Sequence, residues 1–287
     1  MSFVVFAGPK STDLAWETAK YLNAEQGKIE KRRFPDGEMY LKLDSQVKGK
    51  ESVVVSSLRE DGDILELLFL LDLLKDSGST QVHAVIPYLA YQRQDKRFTP
   101  NEALTLKTLL TLIHEVSDSI TVVNAHFLDA AGEYNFHNIP LKNLDATSLI
   151  VEYFKNKIRK PIVISPDKGA VATAKYAAEL LNCSFDSLSK KRISGEEVVI
   201  KPKNLTVEGH DVIILDDIIS TGGTLLTSAQ IIRGWKPNSI NVGCVHGLFM
   251  KGVEPFQGVV ERIVATNTVV NPLAKVSVAP LIASSLK

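Results

Sequence analysis

The sequence predicts an α/β protein of two tandem domains, each a mainly parallel sheet flanked by helices. Three observations predict it. Short apolar runs such as Val53 to Ser56 and Val212 to Leu215 alternate with segments of helical periodicity, as buried parallel strands joined by crossover helices do. The strand, loop, helix, turn and strand that begin at Val53 recur without a gap from Val212, at an offset of 159 residues and with few identities. And 287 residues are enough for two ordinary domains.

Composition narrows the partners. A hydrophobic share of 45% and a charged share of 23% describe a globular chain. With 33 basic and 33 acidic residues the net charge is zero. No global field draws nucleic acid, so any anion site must be local. Cys183 and Cys244 do not make a disulfide framework, and a reducing, cytoplasmic setting is expected. The opening MSFVVFAGPK reads as a first strand rather than a signal peptide. The most apolar helical stretch, about Ile64 to Leu74, contains Glu66 and Asp72 and is too short to span a bilayer. Neither nucleic acid nor a membrane is an expected partner.

In chain order, Phe3 to Ala7 reads as a strand and Asp13 to Leu22 as a helix. Phe34-Pro35-Asp36-Gly37-Glu38 follows, a Pro-Asp-Gly turn that read alone is first a polar hairpin turn leading into strand Met39 to Leu43 and only second a ligand site. Strand Val53 to Ser56, helix Ile64 to Lys75 and strand Val82 to Pro87 come next. Tyr91 to Phe98 then carries Arg93, Gln94, Asp95, Lys96 and Arg97 just after a strand, where α/β proteins bind ligands. An arginine there can fork onto phosphate or stack on a ring; the bland alternative is a solvated basic loop. Helix Glu102 to His114 leads to strand Ile120 to Asn124, followed by His126, a lone histidine that is more often structural than a ligand but stands at a strand end where ligands bind. Pro140 to Asn143 is the expected boundary, giving domains 1–142 and 143–287.

In the second half, helix Ala146 to Lys157 and strand Pro161 to Ser165 precede Pro166-Asp167-Lys168-Gly169-Ala170, a short loop that opens helix Val171 to Leu181 and suits a phosphate group. Asp167 there is placed to meet a metal. Ser189 to Glu197, with Lys190 and Arg192, reads as a mobile excursion or as an exposed hairpin with a basic tip. Ile240 to Val245 and Arg262 to Ala265 read as strands, Gly247 to Phe256 as a helical turn region, and Val278 to Leu286 as a terminal helix.

The most informative stretch is Val212 to Thr224, VIILDDIISTGGT. An apolar strand runs into Asp216 and Asp217. Then come Ser220, Thr221, Gly222, Gly223 and Thr224, followed by a helical pattern. Glycines let the backbone turn and approach a ligand. Hydroxyls add donors, and free N–H groups at a helix N-terminus favour an anion. Two adjacent carboxylates repel unless something polar or cationic uses them. Sugar hydroxyls or Mg²⁺ would.

This stretch resembles the ribose 5-phosphate signature of the type I phosphoribosyltransferases. Read with FPDGE at 34–38, DILELLFLLDLLKDSG at 63–78, PYLAYQRQDK at 87–96, His126, SPDKG at 165–169, Lys190 with Arg192, and SVAPL at 277–281, the chain resembles the ribose-phosphate diphosphokinase family over nearly its whole length. The resemblance implies two phosphoribosyltransferase-like domains with the active site between them, and a last helix, Val278 to Leu286, that packs back on the first domain. It implies transfer of a diphosphoryl group from MgATP to ribose 5-phosphate, with Mg²⁺ as cofactor. Asp216 and Asp217 would hold the ribose, and Ser220 to Thr224 its 5-phosphate. Asp167, Lys168 and Gly169 would hold the diphosphate. Phe34, Asp36, Glu38, Arg93, Gln94, Asp95 and Lys96 would hold ATP, partly across the subunit interface of a homo-oligomer. His126 and Asp167 would meet the metal, and Lys190 and Arg192 the transition state. Ser220 and Asn124 stand where many members have Asp, and Lys96 replaces an Arg; with the short chain, Lys96 looks more like archaeal members. A base phosphoribosyltransferase and a non-catalytic, PRPP-binding regulator are the other readings of the 212–224 motif.

Overall fold

The computed structural model describes residues 2–167, 169–193, 196–200 and 206–287, with the side chains of all but 189–200. The chain divides into two compact units. The first comprises Met1–Asp145, Thr268–Val270 and Val278–Lys287, and the second Ala146–Asn267 and Asn271–Ser277.

The first unit contains β1 (Phe3–Ala7), α1 (Thr12–Leu22), β2 (Glu25–Gln26), β3 (Ile29–Arg33), β4 (Met39–Leu43), β5 (Glu51–Val55), α2 (Asp61–Asp76), β6 (Gln81–Ile86), α3 (Thr105–Glu115), β7 (Ser119–Val123), β8 (Gly132–Phe136) and β9 (Ile139–Leu144). Seven strands form one sheet in the order β2-β1-β5-β6-β7-β9-β8. Every pairing is parallel except β8 with β9. Val4 to Phe6 and Val53 to Val55 have no exposure, because helices cover both faces of a parallel sheet. Helix α3 buries Leu106, Leu109, Leu110 and Ile113, a stripe at helical spacing. Each such side chain contributes about 1.5–3 kcal/mol on leaving water. Helix α2 begins with a capping box in which Glu60 and Asp63 each accept the other's backbone N–H. Strands β3 and β4 form a separate antiparallel ribbon with 34–38 as its turn.

The second unit contains α4 (Thr147–Lys155), β10 (Pro161–Ser165), α5 (Val171–Leu181), β11 (Ser184–Ser187), β12 (Ser189–Ile193), β13 (Glu196–Ile200), β14 (Asp211–Ile219), α6 (Gly223–Arg233), β15 (Ser239–Gly247), β16 (Arg262–Thr266) and β17 (Ala274–Val276). Six strands, all parallel, run in the order β11-β10-β14-β15-β16-β17. Helix α4 lies close on this sheet. A Cβ at Gly243 would fall 2.5 Å from Ile150 and 3.1 Å from Phe154, so only glycine lets β15 and α4 pack at this distance. Strands β12 and β13 form an antiparallel ribbon outside the sheet. The last helix, α7 (Ala279–Ser285), belongs to the first unit and packs on α1. There Lys142 donates to the carbonyl of Ser285 at 3.0 Å.

Three elements differ from the sequence reading. Pro140 to Asn143, expected to connect the domains, lies inside β9. Its side chains alternate in burial with a period of two, a signal the proline obscured. The acid pair does not follow the strand at 212–215: β14 runs through Asp216 and Asp217 to Ile219, paired with β15 as far as Gly247. For the same reason the helical region expected at 247–256 shrinks to a 3-10 turn at Glu254–Phe256.

Candidate active site

Parallel sheets place their ligand loops at the C-terminal ends of the strands; Arg93 to Lys96, His126, Asp167 and the 220–224 loop follow such ends, whereas 34–38 and Lys190 with Arg192 belong to the two antiparallel ribbons. In the second unit the acid pair sits late in β14, half-buried. Asp216 Oδ1 accepts the backbone N–H of Asp217 at 3.0 Å, and Asp217 Oδ1 accepts that of Ile218 at 2.8 Å. Burial pushes the Asp216 carboxyl up to about 8, and the charges of Asp217 and then Asp167 push it the same way. A carboxyl so placed is a site for a proton, a cation or hydroxyl donors. Cys244, which the sequence offered only as a cysteine without a disulfide partner, lies directly opposite Asp216 on β15. Its thiol is fully buried, and burial first and Asp216 second raise its pKa.

The loop after β14 is anchored by its carbonyls. Ile219 O accepts the N–H of Leu248 at 2.9 Å, and Ser220 O that of Met250 at 2.9 Å. Gly222 caps α6 in the left-handed conformation, φ 79°. Among the described residues, the backbone N–H groups of Thr221, Gly222, Gly223 and Thr224 donate to no other group. Thr221, Gly223 and Thr224 are exposed. Loop and helix start thus carry a run of backbone donors that the fold itself leaves unused, and N–H groups at a helix N-terminus favour an anion. Among the described residues the first unit has no counterpart. Residues 61–65, which align with 220–224 at the 159-residue offset, are already the first turn of α2.

At the start of α5, Asp167 Oδ1 accepts the N–H groups of Gly169 at 2.8 Å and Ala170 at 3.2 Å. Asp167 thus satisfies, with its own carboxylate, two backbone donors at the start of α5. Lys168 lies outside the described residues, as do the side chains of Lys190 and Arg192, whose backbone lies on β12.

In the first unit, Phe34, Asp36 and Glu38 form the exposed tip of the β3–β4 ribbon. Asp36 Oδ1 accepts the Glu38 N–H at 3.2 Å, and Glu38 O accepts that of Phe34 at 2.9 Å. The Arg32 guanidinium lies 4.9 Å from the Phe34 ring and 4.1 Å from that of Tyr40. Arg93, Gln94 and Lys96 are exposed in the loop after β6, and Asp95 is half-buried. His126 is exposed after β7. Sequence reasoning passed over Gln92, the buried amide whose Oε1 accepts the His126 backbone N–H at 2.8 Å. A polar residue inside a polar run carries no periodic signal that would mark it.

Fold and loops define an α/β protein of the phosphoribosyltransferase type, and a phosphoribosyl transferase domain model matches residues 134–259. The model of the N-terminal domain of ribose phosphate pyrophosphokinase matches residues 3–116. The chain is 39% identical to ribose-phosphate pyrophosphokinase 2 of Archaeoglobus fulgidus, covering 97% of this chain and 98% of that one. It is 38% identical to ribose-phosphate pyrophosphokinase of Methanothermobacter thermautotrophicus, over 96% and 97% of the two chains. The phosphoribosylpyrophosphate synthetase of Mycobacterium smegmatis shares the fold, with a TM-score of 0.86 at 24% identity over 100% of this chain and 98% of that one. The chain belongs to the ribose-phosphate pyrophosphokinase family, whose members are transferases. Among the described residues no helix is long and apolar enough to cross a membrane.

Proposed function

We propose that the chain transfers the β,γ-diphosphoryl group of MgATP to the anomeric hydroxyl of ribose 5-phosphate, giving 5-phosphoribosyl 1-diphosphate and AMP. The sugar side of this rests on the loop 220–224, whose N–H groups at 221–224 lack partners among the described residues just after a carboxyl pair, and the diphosphoryl donor side on the first half's match to the ribose phosphate pyrophosphokinase N-terminal domain. Asp216 and Asp217 accept the ribose 2- and 3-hydroxyls. Ser220, Thr221 and Thr224 offer hydroxyls, and Thr221 to Thr224 N–H groups, to the 5-phosphate. Asp167, Lys168 and Gly169 hold the moving diphosphate, for which the Gly169 N–H exchanges the Asp167 carboxylate for a phosphoryl oxygen.

On the nucleotide side, Phe34 supplies an exposed ring for the base, with Asp36 and Glu38 on its ribbon. Arg93, Gln94, Asp95 and Lys96 meet the nucleotide from the loop after β6, and His126 from the loop after β7. A homo-oligomer would let the 34–38 turn serve a neighbouring subunit. Lys190 and Arg192 neutralise charge that develops in the transition state. Diphosphoryl transfer needs positioning and charge neutralisation rather than a covalent intermediate.

Mg²⁺ suits the donor set. Among the described residues no three or more His, Cys, Asp or Glu side chains are grouped to cage an ion. Mg²⁺ needs no cage, being held by one or two carboxylates with waters and substrate phosphates. Asp167, close enough to Asp216 to raise its pKa, would supply one carboxylate, and His126 would steady the metal–nucleotide complex. When bound, the cation neutralises diphosphoryl oxygens. A base phosphoribosyltransferase accounts for 220–224 but not for a first half matched over residues 3–116 by the ribose phosphate pyrophosphokinase N-terminal domain.

Phosphorus NMR of the protein with ATP, Mg²⁺ and ribose 5-phosphate tests the proposal. AMP together with a sugar-linked diphosphate is expected. ADP would overturn the diphosphoryl assignment, and binding without turnover would make the chain a non-catalytic relative.

A further inference from the structure

The loop from Tyr91 to Phe98 is polar and largely exposed, yet Gln92 is turned inward and only 2% exposed. The turn that sends it inward is made by Tyr91, which holds a left-handed φ of 60°. That conformation is unfavourable for a bulky residue and persists only where neighbours fix it. Two neighbours do. The Tyr91 hydroxyl donates to the Asp61 carboxylate at the start of α2, and Tyr91 O accepts the N–H of Gln94 at 2.8 Å. Once inside, Gln92 reaches the next loop along the sheet edge, where its Oε1 accepts the backbone N–H of His126 at 2.8 Å. Its Nε2 has no hydrogen-bond partner among the described residues. A buried amide donor left this way is costly. A Leu or Met would fill the same space without that cost, so packing does not explain a glutamine here. The bond to His126 does.

The far loop is fixed in the same manner. Asn124 has φ 39°, its Nδ2 donates to Asp145 at 2.8 Å, and the Ala125 N–H donates to Asn143 Oδ1 at 3.0 Å. Both loops are thus held in unusual backbone conformations by side chains, and Gln92 is a direct link between them.

We propose that Gln92 is a positioning residue that locks the 91–98 loop to the 124–127 loop, so that Arg93 to Lys96 and His126 are presented to one nucleotide as a rigid set. This rests on the nucleotide-side reading given above. Gln92 does not touch the substrate in this proposal. It acts through His126 and through the path of its own loop.

The test uses the full-length protein, wild type and with Gln92→Met or Gln92→Glu. Met keeps the length and removes the acceptor; Glu keeps an acceptor oxygen. Three readouts are needed: KM and kcat with each substrate, thermal midpoint, and hydrogen exchange at the His126 amide. For Gln92→Met the expected result is a KM for ATP raised about tenfold, with KM for ribose 5-phosphate and the midpoint nearly unchanged and faster exchange at His126. For Gln92→Glu, slow exchange at His126 is expected to return. Equal ATP KM and equal His126 exchange in the Met variant would overturn the proposal. Equal losses for both substrates with a lowered midpoint would also overturn it, because Gln92 would then be structural only. If wild-type protein makes no AMP from ATP and ribose 5-phosphate, the proposed reaction fails, and exchange at His126 still decides whether Gln92 locks the loops.

Discussion

Phe256 packs directly beneath Gly222, so that a Cβ on the glycine would fall 2.6 Å from the ring's Cζ. The 3-10 turn that carries Phe256 therefore sets the height of the loop after β14. Gly222→Ala meets both this contact and the left-handed φ of 79°. A loss of at least about 2 kcal/mol is expected from the two effects together, with weaker ribose 5-phosphate binding. Calorimetric unfolding and titration would measure both. Gly223→Ala is the control, since its Cβ meets nothing closer than 3.9 Å. It should leave stability nearly unchanged, and an equal loss there would argue against the Phe256 contact.

Asp217→Ala should weaken ribose 5-phosphate binding by about tenfold or more, the value of losing a hydrogen bond to a charged group. Isothermal titration gives the affinity directly; an unchanged value removes Asp217 from the sugar site.

The carboxyl of Asp216 makes the ligand-free protein sensitive to pH. Its folded pKa of about 8 lies above the ordinary 3.8. Between those values the folded state holds more protons than the unfolded state, so stability falls as pH rises. The stabilisation is present at low pH and is lost as pH climbs towards 8. Thermal midpoints across this range should decline for wild type and flatten in Asp216→Asn. Parallel slopes would show that another group is responsible. Asp217→Asn should in turn lower the Asp216 midpoint seen by carbon NMR, because the Asp217 charge is the largest cause after burial.

Lys190 lies on β12, in a ribbon outside the six-stranded sheet. Lys190→Ala should cut turnover by about two orders of magnitude or more with little change in thermal midpoint. Wild-type turnover in that variant would take β12 out of the mechanism.

Much of this was legible in the sequence because it is local. Buried parallel strands declare themselves as apolar runs, and their following loops as glycine, hydroxyl and charge. Strands Phe3–Ala7 and Pro161–Ser165 and helix Val171–Leu181 were read with their observed ends. Strands β8 and β9 were not legible. Their residues mix Pro, Asn, Lys and aromatics, and β9 is made a strand by pairing with β7 and β8 on either side. The true end of β14 was hidden for a similar reason. Two aspartates read as the close of an apolar run, while backbone pairing with β15 carries the strand past them.

The sequence by itself determined the α/β class and, in each half, the succession of strand, loop and helix, because these depend on residues within about a dozen positions of one another. Only the tertiary structure decided the rest. The proton affinity of Asp216 depends on burial and on the charges of Asp217 and Asp167. The place of the last helix depends on packing against α1, more than two hundred residues earlier. The role of Gln92 depends on a turn at Tyr91 that sends one amide inward. Burial, charge coupling and packing act through space, between groups that the order of the chain does not bring together.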